Sequence, residues 1–272
     1  MIKNMTLYMI GVGLNDEKDI TVKGLEFVRR AKTVYLESYT SILHCGKEEL
    51  EKLYGKQVIL ADRDLVEKRS DEILDPALKN DVAFLVAGDP MSATTHTDLF
   101  LRANKNGVKV VVVNNASVLT AVGIVGLELY KYGKTTSVTF PQDSWNVETY
   151  YDVVKENKKR GLHTLCLLDI KTHEPSKAEL KKEKPRKYEK PRFMTINEAI
   201  KCFLDVEKKR KEHVFTEDTL CVGCARLGGS DYKIKAGTAK ELLNTRFGEP
   251  LHCLIVPGKL HFMEEDALEL WK

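Results

Sequence analysis

Short runs of hydrophobic residues alternate with amphipathic stretches in the first half of the chain. Continuous apolar runs predict strands near 7–10, 33–36, 57–60, 82–86 and 108–113. Helical periodicity predicts the segments between them to be helices, near 21–31, 46–54, 64–79 and 97–106. Apolar strands separated by helices are typical of a parallel sheet that is covered on both faces. In such a sheet, ligands bind beyond the carboxyl ends of the strands.

The pattern changes after Asn115, where a helix is predicted near 117–129. Further strands are predicted near 136–140, 163–170, 219–225, 232–236 and 252–256. Further helices are predicted near 147–159, 195–212 and 238–245, and a last one at the carboxyl end. Two successive strands joined across Gly228-Gly229 indicate an antiparallel pair. We therefore predict two α/β domains, 1–114 with a mostly parallel sheet and 115–272 with a mixed sheet.

Composition is that of a globular protein, with 43% apolar and 31% charged residues among 272. No run of eighteen apolar residues indicates a membrane-spanning helix, and the first residues resemble a buried strand more than a signal peptide. We expect a cytoplasmic protein that does not bind membranes or nucleic acid directly.

Six cysteines are dispersed along the chain, and only Cys221 and Cys224 form a C-x-x-C pair. Such a pair suggests zinc or redox chemistry. However, residues three apart on a strand point to opposite faces, and no second pair supplies further ligands. We therefore favour free thiols in apolar surroundings and expect no metal.

Charge is uneven although the formal net charge is only +3. The stretch 171–192 holds nine Lys/Arg and four Asp/Glu, together with three prolines. A segment of this composition cannot bury a core. We interpret it as a basic insertion exposed to solvent; the alternative is a docking surface for an acidic partner.

Glycine and polar residues follow three of the predicted strands. Gly11-Val-Gly13 follows the first strand, Gly88-Asp89-Pro90 the fourth, and Asn115-Ala-Ser117 the fifth. The G-x-G pair suggests a dinucleotide site, but the third glycine of that motif is missing. The acidic turn that follows would also repel a diphosphate. A cofactor with a cationic sulfonium would meet no such repulsion. Asp89 could bind a ligand or cap a turn, whereas His252 fits a strand-end histidine with local hydrogen bonds.

Several motifs carry a resemblance to a known family. Ile10-Gly-Val-Gly-Leu14, Asp19-Ile-Thr-Val-Lys-Gly24 and Ala87-Gly-Asp-Pro90 look like the paired signature of the tetrapyrrole methylases. Glu37-Ser-Tyr-Thr-Ser41, Gly88-Asp-Pro-Met-Ser-Ala-Thr-Thr-His96 and Ile255-Val-Pro-Gly-Lys-Leu-His261 resemble the diphthine synthase family within them. The resemblance runs from end to end of the chain.

This resemblance implies two α/β domains and a methyltransferase that uses S-adenosylmethionine. The implied substrate is elongation factor 2, at a histidine that carries a 3-amino-3-carboxypropyl group, and the implied assembly is a homodimer. The eukaryotic branch of the family, which the basic insertion resembles, also forms a methyl ester. The family's cofactor contacts fall on Leu14, Asp89, Ser92, Ser117, Val118, Leu168, Leu227 and His252.

Methyl transfer from a sulfonium needs alignment and exclusion of water more than proton transfer. Our hypothesis is therefore that no dedicated base is essential, and His96 and Asp169 are weak candidates for one. Three alternatives remain open at this point. They are a methylase of corrin or porphyrin precursors, a nucleotide-dependent oxidoreductase with Glu37 on a ribose, and a translation-associated binding module.

Overall fold

The computed structural model describes residues 5–141, 147–172 and 189–272. The described residues form two compact units: the first comprises those up to Leu119 together with 171–172 and 189–191, and the second comprises those of 120–170 and 192–272. The boundary predicted from the sequence, after Asn114, precedes this division. Each unit contains one five-stranded sheet.

Every strand pairing in the sheet of the first unit is parallel. The strands are β1 (Thr6–Gly11), β2 (Thr33–Glu37), β3 (Val58–Ala61), β4 (Val82–Val86) and β5 (Lys109–Val113), in the order β3-β2-β4-β1-β5. Because β1 lies between β4 and β5, Gly11 pairs with Val86 and Ile10 with Val113. The three strands that carry the predicted site therefore end side by side, and the predicted parallel sheet is confirmed.

Both faces of this sheet are covered by helices, as the apolar strands predict. The helices are α1 (Val22–Arg30), α2 (Lys47–Tyr54), α3 (Arg63–Glu67), α4 (Asp71–Ala77) and α5 (Thr97–Lys105). Successive residues of β1 point to opposite faces, yet Met9 and Ile10 are both fully buried. Met9 packs in one hydrophobic cluster with Phe84, and Ile10 packs in another with Leu85.

The single helix predicted over 64–79 is wrong, because α3 and α4 are separate helices. Arg102 of α5 explains the interruption. Its guanidinium donates hydrogen bonds to the carbonyl of Glu67 at 2.8 Å and to the hydroxyl of Ser70 at 3.2 Å. These bonds hold the last carbonyl of α3 and the cap of α4, and they come from a residue distant in sequence.

The second unit contains a mixed sheet, as predicted. Its strands are β6 (Thr136–Val138), β7 (Thr164–Leu168), β10 (Leu220–Ala225), β11 (Lys233–Thr238) and β12 (His252–Val256), in the order β11-β10-β12-β7-β6. Among the described strands of this sheet, β6 and β7 alone pair in parallel, and the predicted antiparallel pairing of β10 with β11 is confirmed. The helices are α6 (Val118–Ala121), which crosses the division, α7 (Thr149–Lys159), α8 (Ile196–Arg210), α9 (Ala239–Leu243) and α10 (Phe262–Glu269).

The helix predicted over 117–129 is also wrong. After α6 the chain forms a 3-10 turn over Val122–Val125, which ends at Gly126 with φ of +91°. A Cβ on Gly126 would lie 2.3 Å from the Cβ of Ala267 in α10. Close packing against α10 thus requires glycine, and its positive φ ends the helix early.

The geometry of the C-x-x-C pair fits two free thiols in the sheet. All six cysteines are free, and Cys224 lies directly opposite Cys253 on the neighbouring strand β12 instead of beside Cys221. Among the described residues, no group of three or more potential metal ligands is clustered.

The described ends of the basic insertion pair as β8 (Ile170–Lys171) and β9 (Arg192–Phe193) in a two-stranded sheet. The interpretation of residues 173–188 as an insertion exposed to solvent lies outside the described residues. Within the described ranges, no helix is long and apolar enough to cross a membrane.

Candidate functional site

A glycine-lined turn follows β1 and contacts the end of β4. Gly13 and Gly88 exchange two backbone hydrogen bonds, with N···O distances of 3.3 and 2.6 Å. Both have positive φ, +83° and +76°. A Cβ on Gly11 would lie 2.5 Å from the carbonyl oxygen of Gly88. The glycines are therefore needed for the two chain segments to approach this closely.

The side chain of Asp19 holds the next part of this turn through hydrogen bonds to the backbone. Its Oδ2 accepts hydrogen bonds from the backbone N–H of Leu14 at 3.2 Å and of Asn15 at 2.8 Å. The side chain of Asn115 donates to the carbonyls of Gly11 and Asp19, both at 3.0 Å. The sequence identifies Asp19 as an acidic residue and as part of a family motif, and Asn115 as a residue at a strand end, but it assigns neither of them a role in the site.

Asp89 is almost fully buried at the end of β4. Its two carboxylate oxygens accept four hydrogen bonds of 2.8–3.1 Å, from Met91 N, Ser92 Oγ, Asn114 Nδ2 and Asn115 N. Burial raises the pKa of this carboxyl, but the four hydrogen bonds together lower it below its ordinary value. These bonds use about all four acceptor positions of a carboxylate. Asp89 therefore organises the loops after β4 and β5 and keeps little capacity for a ligand.

A gap about the size of one methyl group lies beside Gly88. A Cβ built on Gly88 would lie 3.8 Å from Cδ2 of Leu14, 3.7 Å from the carbonyl oxygen of Ala116 and 3.9 Å from Cα of Ser117, with no atom nearer. Two predicted cofactor contacts, Leu14 and Ser117, therefore face one point. The carbonyl oxygen can accept hydrogen bonds from an ammonium or hydroxyl group. The acidic turn nearby suits a cationic ligand and repels a diphosphate.

The predicted site residues of the second unit lie at one end of its sheet. In the antiparallel register, His252 is opposite Ala225 and Cys253 is opposite Leu167. Leu168 ends β7 at the same edge, and Leu227 follows the end of β10. The structure therefore groups Leu168, Leu227 and His252, as their positions at strand ends indicate.

Arg226, which the sequence analysis did not select, holds the neighbouring loops at this end of the sheet. Its guanidinium donates to the carbonyls of Phe247 at 3.0 Å and Glu249 at 2.8 Å, and to the Asp231 carboxylate at 2.6 Å. A ring nitrogen of His252 also lies 3.0 Å from the carbonyl of Glu249. Burial lowers the pKa of His252, so its imidazole is neutral at neutral pH. The local hydrogen bonding predicted for this strand-end histidine is present.

His96 and Asp169, the two candidates for a base, have surroundings that fit a structural role. His96 is completely buried, with its ring edge-on to Phe84 at 5.3 Å between centroids. Burial lowers its pKa to about 4. Asp169 accepts a hydrogen bond from the backbone N–H of Phe140 at 2.9 Å and so joins the ends of β6 and β7.

Glu37 does not fit the role of a ribose ligand. It is buried, and its carboxylate accepts hydrogen bonds from the N–H of Tyr39 and Thr40, both at 2.5 Å, and from the hydroxyl of Thr40 at 2.7 Å. These three hydrogen bonds use most of its acceptor positions in holding its own loop, which weakens the oxidoreductase alternative with Glu37 on a ribose.

Comparison with known proteins agrees with this arrangement of glycines and polar groups at strand ends. The sequence model of the family described as tetrapyrrole (corrin/porphyrin) methylases matches residues 6–243. The chain belongs to the tetrapyrrole methylase family and is an S-adenosylmethionine-dependent methyltransferase.

Its relatives are more specific. Diphthine methyl ester synthase of Homo sapiens is 51% identical over 270 residues, which cover 97% of this chain and 94% of that protein. Diphthine synthase of Methanocaldococcus jannaschii is 47% identical over 264 residues, 97% of each chain. A crystal structure of diphthine synthase matches with a TM-score of 0.83 at 36% identity, over 98% of this chain and 95% of that one. The resemblance to diphthine synthases that the motifs carry is confirmed.

Proposed function

We propose that this chain methylates the 3-amino-3-carboxypropyl group on a histidine of elongation factor 2 and also forms the methyl ester of diphthine. The observation that carries the proposal is the end-to-end similarity to diphthine methyl ester synthases, with 51% identity to the human protein. The arrangement of Leu14 and Ser117 beside Gly88 supports the proposal, because these predicted cofactor contacts lie at the strand ends where α/β sheets bind ligands.

Residues of the first unit would hold the cofactor, which supplies a methyl group activated on a sulfonium. Leu14 and Ser117 border the space beside Gly88, and Val118 begins the helix that follows Ser117. Asp89 and Ser92 would act through the loop that they hold together, since the carboxylate is already saturated with hydrogen bonds. Leu168, Leu227 and His252 of the second unit are proposed as cofactor contacts because the family resemblance implies them.

We also propose that no residue serves as an essential base. The acceptor carboxylate is already ionised at neutral pH, and only the amine must lose a proton. His96 has no exposed atom, and with a pKa of about 4 it is a poor proton acceptor. A thousandfold loss of turnover in His96→Gln or Asp169→Asn, with cofactor affinity intact, would contradict this proposal.

The wider assignment follows from the substrate. A chain that modifies elongation factor 2 would act in the cytoplasm on a protein partner, without binding nucleic acid or a membrane. We propose a homodimer because the family resemblance implies one. Size-exclusion chromatography with light scattering tests this, and a monomer at micromolar concentration would contradict it.

The first test is calorimetric titration of the purified protein with S-adenosylmethionine and, separately, with NADPH. We expect saturable binding of S-adenosylmethionine alone, and weaker binding by Asp89→Asn. The amide NH₂ of asparagine would face the N–H donors that now bind the Asp89 carboxylate, so the loops after β4 and β5 would shift. We expect a loss of roughly tenfold or more in affinity, since hydrogen bonds to a charged group are worth more than neutral ones.

The control is Asp98→Asn, on the exposed first turn of α5, which should leave affinity unchanged. Mass spectrometry of unmethylated elongation factor 2 after incubation then counts the methyl groups transferred. Preference for NADPH, or binding of S-adenosylmethionine without any transfer to elongation factor 2, would refute the proposed function.

A further inference from the structure

Asn115 links the ends of the strands that carry the predicted site. It lies half-buried just after β5 and makes four hydrogen bonds. Its Nδ2 donates to the carbonyls of Gly11 and Asp19, both at 3.0 Å. Its Oδ1 accepts from the N–H of Ala116 at 2.7 Å, and its own backbone N–H donates to Asp89 at 3.0 Å. One residue thus joins β1, the following turn, β4 and β5.

The side chain of asparagine suits this position in a way that other short side chains do not. A single amide nitrogen donates two hydrogen bonds, which here reach two carbonyl oxygens. Aspartate of the same shape has no donor, and serine has only one. Space is limited, because a Cβ on Gly11 would lie 2.8 Å from the Cβ of Asn115.

The backbone of Leu14 is the part of the site that these bonds order. Asn115 holds the carbonyl of Asp19, and the carboxylate of Asp19 holds the N–H groups of Leu14 and Asn15. On the basis of the proposed function, we infer that Asn115 is a positioning residue for S-adenosylmethionine. It acts through Asp19 and Gly11 to keep the turn from Gly11 to Leu14 in its binding conformation.

The sheet does not depend on this side chain. β1 and β5 pair in parallel from Thr6 and Lys109 to Ile10 and Val113 through backbone bonds. Asp89 would keep its bonds from other side chains and from the backbone at position 115. Removing the amide should therefore loosen the turn more than it destabilises the fold, and the loss should fall on cofactor affinity.

Three variants test this inference. Asn115→Ala removes both donors, and Asn115→Asp keeps the shape but places a carboxylate against two carbonyl oxygens. Asn104→Ala is the matched control, because its amide donates to the carbonyl of Phe100 within the exposed face of α5. Calorimetric titration with S-adenosylmethionine gives the dissociation constant and the stoichiometry of each variant, and thermal unfolding gives its stability.

We expect roughly tenfold weaker binding for Asn115→Ala, from two lost hydrogen bonds, and an equal or larger loss for Asn115→Asp. Stoichiometry should stay at the wild-type value, and Asn104→Ala should bind as the wild type does. In methyl transfer to elongation factor 2, KM for S-adenosylmethionine should rise while kcat at saturation stays within about twofold, because a uniform binding interaction is lost.

Two results would overturn the inference while the wild type binds normally. One is a dissociation constant of Asn115→Ala within about twofold of wild type, less than the loss of one hydrogen bond predicts. The other is a lower stoichiometry or melting temperature with unchanged affinity, which a merely structural role would produce. If the wild type itself does not bind S-adenosylmethionine, the proposed function fails and the inference fails with it.

Discussion

Single residues determine the shape of the turn after β1. At Gly13, φ is +83° and an added Cβ would lie 2.3 Å from the Cβ of Asp19. Asp19 cannot move away without losing its hydrogen bonds to the N–H groups of Leu14 and Asn15. Gly13 is therefore restricted both by its own backbone conformation and by its neighbour.

Gly13→Ala and Gly107→Ala separate these two restrictions. Gly107 has a similar φ of +75°, but a Cβ there would meet nothing within 4 Å. We expect Gly107→Ala to lower the free energy of unfolding by about 1–2 kcal/mol, the cost of a left-handed alanine. Gly13→Ala should cost roughly 1–3 kcal/mol more because of the clash. Urea unfolding followed by circular dichroism measures both.

Affinity for S-adenosylmethionine distinguishes the two variants further. Gly13→Ala should weaken binding because it displaces the turn, whereas Gly107→Ala should bind like the wild type. Equal stability losses in both variants would mean that the contact between Gly13 and Asp19 is not restrictive.

At the scale of elements, the amino end of α10 is built on a buried charged residue. Glu264 caps α10 and its carboxylate accepts four hydrogen bonds, from His261 N, Glu128 N, Lys131 Nζ and His163 Nε2. His163 must donate through Nε2, because its Nδ1 accepts a hydrogen bond from Gly258 N. Burial raises the pKa of Glu264, but Lys131 and the other donors lower it to about 2.

Glu264→Gln should destabilise the second unit at neutral pH. A folded pKa of about 2 against an ordinary 4.5 means that the ionised carboxylate stabilises the fold above pH 4.5 and loses this effect as pH falls towards 2. We expect a loss of about 2–3 kcal/mol at neutral pH. Chemical denaturation of both proteins from neutral pH to pH 3 should show the difference shrinking with acid.

Glu241→Gln is the matched control. Glu241 forms the same capping box at the start of α9, but it is exposed. Its replacement should cost well under 1 kcal/mol, as is usual for surface substitutions away from buried networks. A difference between Glu264→Gln and wild type that stays constant down to pH 3 would show that the pKa of Glu264 is not lowered.

At the scale of the whole molecule, the cysteines report on the two units separately. Cys45 is half-buried and lies in the first unit, where burial raises its pKa to about 11. The five buried thiols all lie in the second unit: Cys166, Cys202, Cys221, Cys224 and Cys253. Because the thiolate is the reactive form, even Cys45 should react slowly in the native protein.

Pulse labelling with N-ethylmaleimide over a urea series should therefore add five labels together when the second unit unfolds, as counted by intact mass spectrometry. At most one label should be added without urea, and Cys45→Ser should remove it. Several labels in the native protein would contradict the burial of the β10 and β12 thiols.

Local pattern was sufficient to predict much of this molecule. Uninterrupted apolar runs identified strands such as β1, β4, β7 and β12, because a strand buried on both faces has no polar side to present. Two strands joined across Gly228-Gly229 identified the antiparallel pair. The turn after β1, Asp89 and Ser117 could be selected because parallel strands bring their carboxyl ends to one edge.

Tertiary contacts decided the rest, since they join residues that are distant in sequence. Arg102 separates α3 from α4, and Ala267 requires a glycine at position 126 where helical periodicity alone would continue the helix. The same holds for the role of Asp89: its position is readable from the strand pattern, but only the structure shows a carboxylate saturated by its own loops. Side-chain roles depend on which donors reach an acceptor in space, and periodicity along the chain carries no information about that.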